Sequence, residues 1–92
     1  MLKGKTALIT GSTSGIGHGI AMLMAQAGAK VMLNGFGKPE EIAAARASVG
    51  AAMGEGDAPY SGADISKPEE IRAMIADAEK TLGKLDILVN NA

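Results

Sequence analysis

Four short apolar segments, each parted from the next by a stretch with helical spacing, constrain this chain more than any other feature. Residues 6–10 (TALIT), 30–33 (KVML), 58–61 (APYS, the weakest) and 85–89 (LDILV) read as strands. They lack the polar–apolar alternation of a half-exposed strand, as expected of strands buried on both faces. After the first, Ile16, Ile20, Leu23, Met24 and Ala27 recur at helical spacing, and Gly28 supplies a stop. Pro39 with Glu40 and Glu41 suits the first turn of a second helix, where proline's missing donor costs nothing and carboxylates oppose the positive end of the helix dipole. The Ala-rich stretch carries that helix to about Val49, and residues 50–56 break it. Ser66 followed by Glu69, with Pro68 between them, has the pattern of a capping box. Ile71, Met74, Ile75, Ala78 and Leu82 form the apolar stripe of that third helix, and Gly83 closes it.

Helices set between such strands imply a parallel sheet covered on both faces. Right-handed crossovers place the first three strands side by side. In the common dinucleotide-binding order the fourth then returns to the far side of the first. The expected class is therefore α/β, the N-terminal half of a doubly wound Rossmann domain: a parallel sheet of four strands, order 3-2-1-4, with three helices. In a complete domain the fourth strand is central. Here it would be a bare apolar edge, which soluble proteins avoid. Residues 1–92 are accordingly expected to be the N-terminal part of a dinucleotide-binding domain, truncated after its fourth strand.

Composition narrows the function classes. With 92 residues there is room for one small domain, and 47% hydrophobic against 21% charged residues is a soluble globular balance. One Tyr and one Phe leave the core to aliphatic residues, Ala and Met. A formal charge of -1 gives no electrostatic footprint for nucleic acid. The absence of Cys excludes a disulfide framework and a thiolate zinc site, and no metal ligands are assigned. No apolar run approaches the roughly 20 residues of a membrane span, and MLKGKTALIT is not a secretory signal. A cytoplasmic protein is the expectation.

The stretch that carries chemistry is residues 10–17, TGSTSGIG, between the first strand and first helix. Gly11 lets the chain turn out of the strand, Gly15 leaves room for phosphates close to the backbone, and Gly17 permits tight helix packing. Free N–H groups at the helix start, with its dipole, favour an anion. Ser12, Thr13 and Ser14 add hydroxyl donors. A P-loop would need Gly-Lys-Ser/Thr here, and Ile16-Gly17-His18 does not supply it.

TGSTSGIG has the TGxxxGxG spacing of the short-chain dehydrogenases/reductases, and the chain resembles that family in two further places. Asn90-Asn91-Ala92 is similar to the start of the family's NNAG motif, and Asp64 in GADIS matches the acidic residue after its third strand. The loop LNGFG, in a region that varies widely within the family, narrows the likeness further. The resemblance implies that Gly11, Thr13, Gly15, Ile16 and Gly17 line a pyrophosphate. Asp64 and Ile65 would flank the adenine, and Asn90 and Ala92 would border its ribose. It also implies a homo-oligomer, a tetramer, acting on a small-molecule substrate. The reaction implied is hydride transfer to or from NAD, interconverting 3-hydroxybutyrate and acetoacetate. Relatives carry catalytic Ser, Tyr and Lys, with a supporting Asn, beyond the equivalent of Ala92. Tyr60 is not followed by x-x-x-Lys, so no catalytic residue is assigned and the 92-residue chain alone is expected to be inactive. Two alternatives stand beside this: an NADPH-dependent oxoacyl reductase of the same family, and a non-catalytic nucleotide-binding fragment.

The loop after the second strand bears on the cofactor. An Asp or Glu there commonly binds the ribose 2′-hydroxyl, whereas a basic residue accommodates a 2′-phosphate. This chain has Gly35 at that position with Phe36 beside it, and neither diagnostic charge. Phe36 either covers the adenosine ribose or shields the sheet edge, and NAD is favoured over NADP. His18 is read as structural or superficial, the methionines as gap-fillers in the core, and Glu40-Glu41 and Glu69-Glu70 as helix-start carboxylates. Asn90 and Asn91 also have a structural reading, as amides tying neighbouring strands together.

Overall fold

The apolar runs pair as the middle of a parallel sheet. The computed structural model describes residues 1–91. Its elements are β1 (Thr6–Ile9), α1 (Gly15–Gln26), β2 (Lys30–Asn34), α2 (Pro39–Ala52), β3 (Tyr60–Ser61), α3 (Pro68–Leu82) and β4 (Ile87–Val89). The strands lie in the order β3-β2-β1-β4. All three pairings are parallel, with Leu8 opposite Met32 on one side and Leu88 on the other. The α/β class, the strand order and the three helices match the reading of the sequence.

Successive strand residues face opposite sides, so the sheet builds two cores. Ala7, Ile9, Val31 and Leu33 pack with Ala21 and Ala25 of α1 and Ala45 and Val49 of α2. Leu8 and Met32 pack on the other side with Met74 and Ala78 of α3. At the start of β1, Thr6 donates its N–H to Asp86 Oδ2 at 3.0 Å, and the Asp86 N–H returns to the Thr6 hydroxyl at 3.0 Å. The bond from the Thr6 N–H, helped by Lys84 at 3.2 Å and the Thr6 hydroxyl, holds the Asp86 carboxyl below the usual carboxylate range. No helix among the described residues is long and apolar enough to cross a membrane.

Three local expectations need correcting. The face of α1 that meets the sheet is Gly17, Ala21 and Ala25, while Ile16 and Leu23 are 79% and 69% exposed. Small side chains win that face because they let the helix lie close to the strands. Helix α2 runs on to Ala52, three residues past Val49. Gly50 is buried within it rather than breaking it: a Cβ there would stand 1.6 Å from the Gly56 carbonyl oxygen, so the glycine lets the returning chain cross the helix. Ser66 does not cap α3. The N-cap is Lys67, one residue further on, and the Ser66 hydroxyl donates instead to Asp64 Oδ1 at 2.7 Å in a local turn.

Candidate nucleotide-binding site

The site lies at the C-terminal ends of β1, β2 and β4. The chain leaves β1 through Thr10 and turns at Gly11, then enters α1 at Gly15. Both glycines have φ of +61°, a region that side chains with a Cβ rarely adopt. Among the described residues nothing lies within 4 Å of where a Gly15 Cβ would stand, so the helix start opens onto free space. Ser14, Gly15 and Ile16 are exposed around that opening. The Ser14 side chain makes no capping hydrogen bond among the described residues, leaving the first-turn N–H groups available to an anion. Gly17 is the reverse case: a Cβ would meet the Gly11 carbonyl oxygen at 2.1 Å and Asn91 Nδ2 at 2.5 Å. Its role is to let the loop close over the helix start.

The three hydroxyls of the loop divide. Ser12, fully buried, donates its hydroxyl to the Ile9 carbonyl at 2.7 Å and accepts the Asn34 N–H at 3.0 Å. Thr13 donates to the Phe36 carbonyl at 3.2 Å. The expectation that both add donors toward a ligand is therefore corrected: Ser12 and Thr13 hold the loop's shape, and Ser14 alone presents its hydroxyl outward.

Asn90 and Asn91 do tie strands together. The Thr10 hydroxyl lies 3.4 Å from Asn90 Oδ1 and accepts the Asn91 N–H at 2.9 Å. The Asn91 amide donates to the Gly11 carbonyl at 3.2 Å, reaching back across the glycine loop. Ala92 lies outside the described residues. Asn90 and Ile65 meet in one cleft of about 180 Å³ between β4 and α3, with Thr10, Ile71, Ile75 and Leu88. Asp64 precedes Ile65 in the chain and is not one of the residues lining the cleft. Hydrogen bonds from the Ser66 hydroxyl and then its N–H, with a smaller contribution from Lys67, keep the Asp64 carboxyl below the usual carboxylate range. An ionised Asp64 is an acceptor only, suited to an amine donor.

Gly35 is buried and Phe36 is 68% exposed beside the loop. A Cβ on Gly35 would stand 2.6 Å from Thr13 Oγ1. Three contributors escape a reading of spacing alone. The buried Asn34 amide donates to the Ser61 and Ala63 carbonyls, each at 3.0 Å, joining β2 to the exit of β3. The Tyr60 hydroxyl donates to the Gly35 carbonyl. Leu88 forms part of the cleft wall. None has a motif, and Tyr60 invites attention only as a failed catalytic tyrosine. His18 sits half-buried, its Nε2 shielded from solvent without a hydrogen-bond partner among the described residues.

A parallel 3-2-1-4 sheet with a glycine loop opening onto a helix start at the strand ends defines a dinucleotide-binding class of fold. Residues 5–92 match the short chain dehydrogenase family, and the chain belongs to it. It is 51% identical over its whole length to the D-beta-hydroxybutyrate dehydrogenase of Cupriavidus necator. It is also 51% identical, over 96% of its length, to that of Rhizobium meliloti. The chain spans 34% of the length of each of these relatives. A dehydrogenase/reductase from Sinorhizobium meliloti superimposes with a TM-score of 0.88 at 40% identity, over 99% of this chain and 35% of that one.

Proposed function

We infer that residues 1–92 are the N-terminal, NAD-binding part of an oxidoreductase that interconverts 3-hydroxybutyrate and acetoacetate. The observation that carries this is the open cradle at the start of α1, bounded by Ser14, Gly15 and Ile16, with no described residue within 4 Å of where a Gly15 Cβ would stand. The pyrophosphate sits there against first-turn N–H groups and the helix dipole. Adenine enters the cleft lined by Ile65 and Asn90, where the Asp64 carboxylate accepts from its exocyclic amine. Phe36 lies over the adenosine ribose. When bound, NAD supplies the hydride acceptor or donor, and the residues of this chain bind and orient it. The likeness to two D-beta-hydroxybutyrate dehydrogenases supports the choice of substrate. The proton-transferring residues belong to the part of such relatives that this chain does not span, so the 92-residue chain is proposed to bind without turnover. We also propose a cytoplasmic homo-oligomer.

Titration with NAD tests this reading. Saturable binding is expected, with NADP weaker, and Gly15→Val should abolish it by placing a branched side chain in the phosphate path at a φ that valine resists. NAD affinity left intact by Gly15→Val would remove the phosphate-loop assignment. Formation of NADH from 3-hydroxybutyrate, and not from other 3-hydroxy acids, by a longer protein that carries this segment would support the substrate, whereas residues 1–92 alone should form none.

A further inference from the structure

We propose that Tyr60 is a positioning residue that fixes the β2–α2 loop and thereby determines which dinucleotide the site accepts. This rests on the dinucleotide reading above. Two consecutive carbonyls of the loop are held from opposite sides. Tyr60, on β3, donates its hydroxyl to the Gly35 carbonyl, and Thr13, in the glycine loop, donates to the Phe36 carbonyl at 3.2 Å. Tyr60 is itself well placed for this. It lies opposite Leu33 in the sheet, packs against the core, and follows Pro59, whose carbonyl accepts the Leu33 N–H at 2.8 Å. The Asn34 amide fixes the chain just beyond it through the Ser61 and Ala63 carbonyls.

The clamp also explains why the loop lacks an acid. A side chain at Gly35 would meet Thr13 Oγ1 at 2.6 Å, so the space that an Asp or Glu would need is already occupied. Selectivity in this chain therefore depends on the course of the loop rather than on a carboxylate. Held by both hydroxyls, the Gly35 and Phe36 peptides keep their carbonyls turned inward, and the exposed Phe36 ring meets the ribose edge with no donor to offer a phosphate. Released from Tyr60, the Gly35–Phe36 peptide gains freedom to rotate, with Gly37 beyond it. Its N–H group, or the nearby Lys38, can then turn toward a 2′-phosphate.

Tyr60→Phe keeps the ring and removes only the donor. Affinities for NAD and NADP would be measured by titration calorimetry on the protein and on this variant, with thermal midpoints recorded alongside. The NADP/NAD affinity ratio should rise up to about tenfold, the worth of one hydrogen bond, while NAD binding changes little. Thr13→Ala, which frees the loop from the other side, should move the ratio in the same direction. If Tyr60→Phe weakened both dinucleotides equally, or left the ratio where it was in a protein that prefers NAD, the positioning role would be overturned while the dinucleotide reading stood. A parent protein that bound neither dinucleotide would remove that reading and the clamp's role together.

Discussion

The two faces of the sheet are finished to different degrees. Under α1 and α2, Ala7, Ile9, Val31 and Leu33 are each 0% exposed, and the helices meet them largely through Gly, Ala and Val. Among the described residues, α3 is the one helix on the opposite face. Leu8 and Met32 are covered there, but Leu88, their neighbour on β4, remains 52% exposed. The first face is closed because small helix residues permit close approach. The second stays open over β4, and that opening is the cleft containing Ile65 and Asn90. The more fully buried cluster and the open cleft thus lie on opposite sides of the sheet.

The sharpest way to break the closed face is at its rim. Gly17→Val drives a side chain into the Gly11 carbonyl and the Asn91 amide at once, and should cost about 4 kcal/mol in urea unfolding while abolishing NAD binding. Next comes a direct test of the contrast: Ile9→Ala should cost about 3 kcal/mol, whereas Leu88→Ala should cost about 1 kcal/mol or less. Equal losses would mean that the two faces do not differ as described. Acid provides a milder probe. The carboxyls of Asp64 and Asp86 sit below their ordinary 3.8 in the folded chain, so the unfolded chain takes up their protons first. Their contribution is complete above pH 3.8 and fades as pH falls through the lower folded values. Melting midpoints should therefore drop across that range, and Asp86→Asn should flatten the decline. The smallest effect is expected at Ser66→Ala, which leaves α3 capped as before and raises the Asp64 pKa, as carboxyl NMR titration would read out.

Much of the architecture was legible in residue order. Strands buried on both faces announce themselves by unbroken apolar runs, and Gly28 and Gly83 follow α1 and α3 where glycines end helices. The buried face of α1 was not legible, because Gly17, Ala21 and Ala25 carry almost no hydrophobic signal while the larger Ile16 and Leu23 carry much and are exposed. Gly50 misled for a related reason: glycine marks a break and a close crossing with the same letter. In the candidate site, the glycine spacing located the loop and its open helix start. It could not separate the outward Ser14 from Ser12 and Thr13, whose hydroxyls are used by partners more than 20 residues away. Tyr60 was hidden in the same way, its acceptor lying 25 residues earlier in the chain.

The bond from the Asn91 amide to the Gly11 carbonyl joins residues 80 positions apart. The glycine loop is complete as a string of letters by residue 17, yet its closure over α1 awaits a partner that a ribosome delivers much later. Until residue 91 has been added, therefore, the nascent chain carries the whole glycine motif without its finished shape. Contacts of such long sequence separation also slow folding. The proposed nucleotide site is therefore unfinished until β4 has emerged and docked beside β1.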